Sequence, residues 1–308
     1  MIFKLKRLAV LSALCFLFII CSAVLCVANS AEWTPLKGRL VKDGFSREYV
    51  NQVFSAESMK YDSGIMSRKM RVLLHRKFEP PAKKVAREKE FDERYVGVIP
   101  LAGAYSYLRE HFDILVAIDK KYGVSPSILV SLLLVETKLG RTLGKAPAFL
   151  NLANMAASTD PMTFFDDLGH SDLKDEDLKW LKKRTRQKAD WAYKELVALL
   201  NFSAANSIKP TEIPGSPYGA FGICQFMPTT AMSYAVDGNS DGRIDLFSTD
   251  DALDSMANFL KKHGWKESLS KEKKLKVIYR YNHSMVYART IYEVAKELDG
   301  IRSTFGPE

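Results

Sequence analysis

Cysteine is almost absent from this 308-residue sequence once its first 26 residues are set aside. Three of the four cysteines lie in that N-terminal stretch, which leaves Cys224 alone in the rest of the chain. A single cysteine cannot form an intramolecular disulfide, so a fold held together by disulfides is excluded. No histidine lies near Cys224 in the sequence, and its neighbours are apolar. We therefore interpret Cys224 as a small buried residue and not as a nucleophile.

Internal repeats and low-complexity tracts are also absent, and few segments have the pattern of a strand. A hydrophobic content of 47% with 11% aromatics is typical of a folded protein with a sizeable core. The formal net charge is +9, and it becomes +6 (9 − 3) without Lys4, Lys6 and Arg7. Such a basic excess favours a partner with acidic groups: an anionic wall polymer, a membrane surface or nucleic acid.

The N-terminus has the pattern of an export signal. Lys4, Lys6 and Arg7 precede an apolar run over 8–28, and small residues follow it. The run is long enough to remain as a membrane anchor. We expect residues 1–31 to be a signal peptide, cleaved near Ala28 or Ala31, or else an uncleaved anchor. In either case the rest of the chain would be exported to the periplasm or cell envelope.

Helical spacing dominates the remaining sequence. Apolar positions predict helices over 46–60, 62–78, 101–122, 172–201, 250–264 and 285–298. Ser125 and Pro126 predict the N-cap and first position of another helix. That helix is almost wholly apolar from Ile128 to Val135, which is typical of a buried central helix. Residues 206–217 contain three prolines and predict a loop, with room for a small hairpin within 206–220.

Glu136 follows this apolar run directly and is the only acidic or basic side chain between Lys121 and Lys138. A carboxylate buried without a partner shifts towards its neutral acid, which suits a general acid acting on a glycosidic oxygen. The alternative is a structural carboxylate that pairs with Lys138 or Arg141. Spacing alone leaves both interpretations open.

The most informative run is Ser216-Pro-Tyr-Gly-Ala-Phe-Gly-Ile-Cys-Gln-Phe-Met-Pro-Thr-Thr230. Its glycines allow a ligand or a packed helix to approach the backbone closely. Gln225 can form hydrogen bonds with a neutral polar polymer such as a sugar. The run resembles the Gln-Phe-Met-Pro signature of membrane-bound lytic transglycosylases of the MltB type. Glu136-Thr-Lys-Leu-Gly140 resembles the catalytic glutamate motif of that family. The match continues in the family's order through 237–265 and Tyr281-Asn282.

The resemblance implies a mainly α fold: a lysozyme-like (α+β) catalytic core with an additional helical subdomain. It implies an N-terminal helical segment over 32–100 and a transglycosylase domain over 101–300, with a helical insertion around 150–210. The implied reaction cleaves the β-1,4 bond between N-acetylmuramic acid and N-acetylglucosamine and forms a 1,6-anhydro sugar. Glu136 would serve first as acid and then as base, so no second carboxylate is needed, although Asp160, Asp166 and Asp167 could lie near it. No cofactor is required for this chemistry.

By family position, Ser216 and Gln225 would bind the sugar or orient Glu136, while Tyr281 and Asn282 would line the cleft. Each of these side chains could instead serve as a cap or in packing. Tyr218 and Phe221 differ from the residues expected in the family and point to altered glycan subsites.

The segment from Asp237 to Asp245 has the oxygen spacing of an EF-hand calcium loop. Asp237, Asn239 and Asp241 occupy positions one, three and five, and Arg243 would offer its carbonyl at position seven. Position twelve is serine, but the family's lengthened loop places Asp251 as the closing ligand. The sequence therefore predicts a structural Ca²⁺ site, the alternative being a metal-free turn.

Lys182-Lys-Arg-Thr-Arg186 and Lys188 form a basic run beside Trp191. An exported chain rarely meets nucleic acid, so we exclude that partner and interpret the run as a contact for peptide-stem carboxylates or a solvated helix face. The expected partners are peptidoglycan glycan strands, and a membrane through the N-terminus. We expect a monomer. A hydrolytic muramidase and a non-catalytic calcium-dependent glycan-binding scaffold remain alternatives.

Overall fold

Helices make up most of the chain in the computed structural model, which describes residues 31–56, 59–78, 90–170 and 172–306. The helices are α1 (Thr34–Lys42), α2 (Arg47–Phe54), α3 (Gly64–Phe78), α4 (Val98–Glu110), α5 (Phe112–Tyr122), α6 (Pro126–Thr137), α7 (Ala148–Ala157), α8 (Asp175–Ala205), α9 (Pro228–Tyr234), α10 (Thr249–Lys262), α11 (Lys271–Tyr281) and α12 (Met285–Phe305). Single 3₁₀ turns lie at Glu93–Tyr95, Pro161–Phe164, Asp166–Leu168 and Pro210–Glu212.

The signal or anchor predicted over 1–31 lies outside the described residues except for its last position. Among the residues that are described, no helix is both long enough and apolar enough to cross a membrane.

The chain forms two compact units, each of which is built from two separate segments of the sequence. The first contains the described residues up to Arg71 together with Ala153–Tyr193. The second contains the described residues of Val72–Leu152 and those from Lys194 onward. A mid-chain segment thus groups with the N-terminal helices. The predicted division at residue 100, with an insertion around 150–210, stays a prediction.

Helix α6 is the centre of the second unit. Ser125 is its N-cap and Pro126 its first residue, as the sequence predicts. Every residue over 126–134 is buried, because α6 packs against α4, α5, α10 and most extensively α12. A helix surrounded in this way has no polar face, which explains its nearly continuous apolar sequence.

The predicted helices miss one break and four of the observed helices, which are α1, α7, α9 and α11. The helix predicted over 101–122 is interrupted at His111, which ends α4 and begins α5. Periodicity could not show this break, because buried leucines continue at helical spacing on both sides of it, at Leu108 and Leu115. Helix α11 was not predicted, because lysines dominate its sequence and its buried stripe is only Leu275, Val277 and Ile278.

The sheet of the second unit is minimal. Ala146–Pro147 (β1) pairs antiparallel with Pro214–Gly215 (β2). The strand therefore lies within the loop predicted over 206–217, but its partner comes from outside the suggested hairpin. The pairing places the start of the run from Ser216 to Thr230 beside the segment that follows α6.

Candidate active site

Glu136 is the penultimate residue of α6, and the chain turns sharply after it. Lys138, Leu139 and Gly140 all have left-handed backbone conformations, with φ of 52°, 61° and 81°. Non-glycine residues adopt this conformation at a cost of roughly 1 kcal/mol or more each, so the surrounding packing must hold it. The reversal leaves the Glu136 side chain partly exposed at the end of an otherwise buried helix.

The carboxyl of Glu136 is held close to neutrality. Burial raises its pKa from 4.5 to about 7, while a hydrogen bond from the Tyr287 hydroxyl opposes part of this shift. The Tyr287 oxygen lies 2.6 Å from Glu136 Oε1 and donates its proton. Among the described residues no cation contributes to the shift, so neither Lys138 nor Arg141 acts as the predicted structural partner. A carboxyl with this pKa can exchange a proton near neutral pH.

The turn that carries Gln225 is packed tightly against its neighbours. A β-carbon at Gly222 would lie 2.6 Å from Leu246 Cβ and 2.7 Å from its carbonyl oxygen, and φ there is +76°. One at Gly219 would lie 2.5 Å from Leu152 Cγ, with φ +87°. Both positions therefore require glycine for space as well as conformation.

Three successive carbonyls of this turn accept hydrogen bonds from side chains. Gly222 O accepts from Gln225 Nε2 at 2.9 Å, and Cys224 O accepts from the Tyr281 hydroxyl at 2.6 Å. Ile223 O accepts from Thr137 Oγ1 at 3.0 Å. Gln225 itself has a left-handed φ of 50°. The side chains of Gln225 and Tyr281, which the sequence suggested for the cleft, thus each hold the turn in shape.

Ser216 organises the start of the same run. Its hydroxyl oxygen accepts from the backbone N–H of Tyr218 at 3.3 Å and of Ala220 at 3.0 Å. Its carbonyl accepts from Asn151 Nδ2 at 3.0 Å. Ser216 is partly exposed.

The remaining sequence-predicted positions differ in their surroundings. Asn282 is exposed at the end of α11. Phe221 is buried and packs edge-on against Phe202 at 5.3 Å, so the suggestion that it shapes a glycan subsite is corrected: it belongs to the core. Cys224 is fully buried, and burial raises the pKa of its thiol to about 12, as suits an inert residue.

Sequence reasoning missed Tyr287 and Thr137. Tyr287 lies near the start of α12, six residues after Tyr281, and only the packing of α12 along α6 brings its hydroxyl to Glu136. Thr137 directly follows Glu136 at the end of the apolar helix. A hydroxyl in such a buried position needs a hydrogen-bond partner, which was the one signal in the sequence that could have indicated its role.

The predicted calcium loop is closed by hydrogen bonds. Asp251 is buried, and its two oxygens accept from the backbone N–H of Gly238 and Asp245 at 2.8 and 2.6 Å. Burial raises the pKa of Asp251, and the charge of Asp237 adds to the shift. Asp237 accepts from the N–H of Asp241 and Gly242.

The other predicted calcium ligands are Asn239, Asp241 and Arg243. Asn239 and Asp241 accept backbone bonds within the same loop, and the Arg243 side chain is exposed. Among the described residues no three His, Cys, Asp or Glu side chains converge on a common metal position. The donors are all oxygens, which suits a hard cation such as Ca²⁺.

The basic run forms one wall of a groove in the first unit. A pocket of about 680 Å³ is lined by Thr159, Asp160, Pro161, Lys182, Lys183, Arg186, Gln187 and Asp190. Asp160 accepts from the backbone N–H of Met162, and Asp190 pairs with Arg39 at 2.9 Å. Three cations line the groove, and of its two acids Asp190 is paired with Arg39, so the groove has a basic character. Whether Asp160, Asp166 and Asp167 assist Glu136 stays a prediction.

Residues 28–273 match the family model described as a transglycosylase SLT domain. The chain belongs to the transglycosylase SLT domain family. It is similar to membrane-bound lytic murein transglycosylase B of Escherichia coli K12, with 25% identity over 224 residues that cover 73% of this chain and 54% of that protein. The chain thus spans about half the length of this curated relative.

Solved structures of other proteins have a similar fold. Soluble lytic transglycosylase SltB1 of Pseudomonas aeruginosa superposes with a TM-score of 0.67 at 23% identity, covering 87% of this chain and 98% of that one. Slt35 of E. coli, solved in complex with calcium, gives 0.65 at 19% identity, covering 89% and 94%. P. aeruginosa SltB3, solved with NAG-anhNAM-pentapeptide, gives 0.65 at 18% identity, covering 87% and 79%. The MltB-type resemblance and the lysozyme-like, mainly helical fold are confirmed.

Proposed function

We propose that this transglycosylase-family protein is an exported peptidoglycan lytic transglycosylase in which Glu136 is the single acid and base. The observation that carries the proposal is the Glu136 carboxyl at the end of α6, whose pKa burial raises to about 7 and which accepts a hydrogen bond from Tyr287. It lies in a family fold and beside the turn that carries the family signature.

The proposed reaction needs both protonation states of Glu136. The neutral acid gives its proton to the glycosidic oxygen as the bond from that oxygen to the muramoyl anomeric carbon breaks. The resulting carboxylate removes the proton of the C6 hydroxyl, whose oxygen bonds to the anomeric carbon. This closes the 1,6-anhydro ring, regenerates the acid and consumes no water. A pKa near 7 makes both transfers accessible to one group.

The proposed substrate contacts are Ser216, Gln225, Tyr281 and Asn282. Gln225 Nε2 and the Tyr281 hydroxyl already donate to the turn. Direct contact with sugar would therefore use the second N–H or the Oε1 of Gln225 and the acceptor capacity of the Tyr281 hydroxyl. Of the four residues Asn282 is exposed, whereas Ser216, Gln225 and Tyr281 are partly exposed.

The proposed partner is the peptidoglycan glycan strand, with the protein acting as a monomer. The E. coli relative is named membrane-bound, which supports an envelope location and membrane association through residues 1–31. The basic groove between Thr159 and Lys183 supports a contact for anionic groups of the substrate, such as stem-peptide carboxylates.

Incubation with purified peptidoglycan tests the proposed function. We expect soluble muropeptides to appear without new reducing ends, because the released muramoyl end is closed as an anhydro sugar. New reducing ends in proportion to the released material would identify a hydrolytic muramidase. Binding without any release would identify the glycan-binding scaffold.

We propose in addition that the loop from Asp237 to Asp251 holds a structural Ca²⁺. Asp237, Asn239, Asp241 and Asp251 would supply side-chain oxygens, and Arg243 its carbonyl. The all-oxygen donor set supports a hard cation such as Ca²⁺ in this loop. Bound Ca²⁺ would neutralise these charges and brace the loop, with no part in the chemistry.

Calcium removal should lower the melting temperature. At a Ca²⁺ concentration of about 100 Kd, the ion would contribute roughly 2.7 kcal/mol, which for a chain of this size corresponds to about 4 °C. Differential scanning calorimetry with Ca²⁺, with Mg²⁺ and with chelator measures this shift. The Asp241→Asn variant should lose most of it. An equal melting temperature with and without chelator would contradict the calcium proposal.

A further inference from the structure

Thr137 connects the helix of the catalytic acid to the turn that carries Gln225. It is fully buried and directly follows Glu136 in α6. Its hydroxyl lies 3.0 Å from Ile223 O and 3.4 Å from Leu133 O, and its one proton is donated to the nearer Ile223 O. The same oxygen accepts from the backbone N–H of Gly140 at 3.0 Å. One side chain therefore satisfies a group in the signature turn and a group in the left-handed exit of α6.

The turn lies within electrostatic range of the acid. Burial raises the pKa of Cys224 and of Tyr281, and the charge of Glu136 adds to both shifts. Tyr281 holds the turn from α11 through Cys224 O, while Thr137 holds it from α6 through Ile223 O. Of these two bonds, only the one from Thr137 links the turn to the acid's own helix.

We propose that Thr137 is a positioning residue, which fixes the Gln225 turn relative to Glu136 through Ile223 O and fixes the exit of α6 through Gly140 N. The inference rests on the proposed function for its catalytic consequence, but its geometric content is independent of that function. Valine has nearly the shape of threonine but no hydroxyl, so it would leave a buried carbonyl and an N–H without their partner. Serine keeps the hydroxyl and loses only a methyl group.

The kinetic test compares Thr137→Val with Thr137→Ser. We expect the valine variant to lose about tenfold or more in kcat/KM, mainly through a raised KM, because the displaced turn binds glycan poorly. The serine variant should stay within about threefold of wild type, since it keeps the same hydrogen bonds. The pH above which kcat/KM declines, which is set by the pKa of Glu136, should not change, because Tyr287 and the burial of the carboxyl are unchanged.

Thr290→Val is the matched control. Thr290 is also a buried threonine that donates to a carbonyl, Val286 O, and accepts from a backbone N–H, that of Asp92. Its loss should lower the melting temperature with little change in the KM of the folded protein. A KM as high in Thr290→Val as in Thr137→Val would mean that general destabilisation is responsible, and would overturn the proposal.

Hydrogen exchange separates this inference from the proposed function. In Thr137→Val, the amides of Gly140, Ile223 and Gln225 should exchange about tenfold faster than in Thr290→Val, even if the wild type releases no anhydro product. Unchanged exchange at these amides would overturn the positioning role whatever the activity. If these amides exchange faster in Thr137→Val while the wild-type protein proves inactive on peptidoglycan, the positioning role of Thr137 is upheld and only the proposed function is overturned.

Discussion

Glu136→Gln is expected to release muropeptides about a thousandfold more slowly than wild type, because an amide can neither protonate the leaving oxygen nor accept the C6 proton. The amide keeps the shape of the side chain and can still accept the bond from Tyr287, so binding should persist. The measurement is the initial rate of soluble muropeptide release at pH 6. Glu297→Gln, an exposed substitution on α12, is the control and should behave as wild type.

The loss cannot be attributed to unfolding if stability is measured alongside. The folded-state pKa of Glu136 is raised, so the folded protein holds a proton that the unfolded chain releases above pH 4.5. Wild-type stability should therefore fall as pH rises from 4.5 to 7, by at most about 3 kcal/mol. Glutamine does not titrate, so the variant should melt at or above the wild-type temperature at pH 8. An active Glu136→Gln variant would refute the acid assignment.

Tyr287→Phe is expected to move the alkaline limb of the pH–rate profile upward. The bond from Tyr287 lowers the pKa of Glu136, so removing it raises that pKa and preserves the acid to higher pH. The plateau rate should fall by about tenfold, because the carboxyl loses the donor that orients it. In wild type, kcat/KM should decline above about pH 7, where the acid loses its proton.

The profile of kcat/KM from pH 4 to 9 measures both effects. Tyr292→Phe removes a hydroxyl from the same helix, where the ring lies under Lys271, and should leave the limb in place. Two results would contradict the arrangement around Glu136. One is a decline in kcat/KM that begins at lower pH in Tyr287→Phe than in wild type, and the other is a wild-type decline that does not begin near pH 7.

The helix that carries the acid could be predicted because local signals agree there. Ser125 and Pro126 mark its start, and its continuous apolar sequence requires burial on all sides. The break at His111 could not be predicted, since the apolar spacing continues across it. Pairing of the short strands Ala146–Pro147 and Pro214–Gly215 also escaped prediction, because two-residue strands have no periodicity.

The candidate site shows a similar division. Burial of Glu136 and its raised pKa follow from the residues before it in sequence. The bonds from Tyr287 to Glu136 and from Thr137 to Ile223 join residues 151 and 86 positions apart, so they depend on how the helices pack. Phe221 was misinterpreted for the same reason: an aromatic near a signature turn can face ligand or core, and contact with Phe202 decides for the core.

The fate of water tests the central claim most directly. Peptidoglycan is digested in water labelled with heavy oxygen, and the released disaccharide-peptides are weighed by mass spectrometry. Intramolecular attack by the C6 oxygen predicts products lighter by one water than hydrolysis products and free of label. It also predicts that Glu136→Gln forms them about a thousandfold more slowly than wild type. Products that carry one labelled oxygen at the muramoyl end would show that water attacks the anomeric carbon, and would contradict the transglycosylase account.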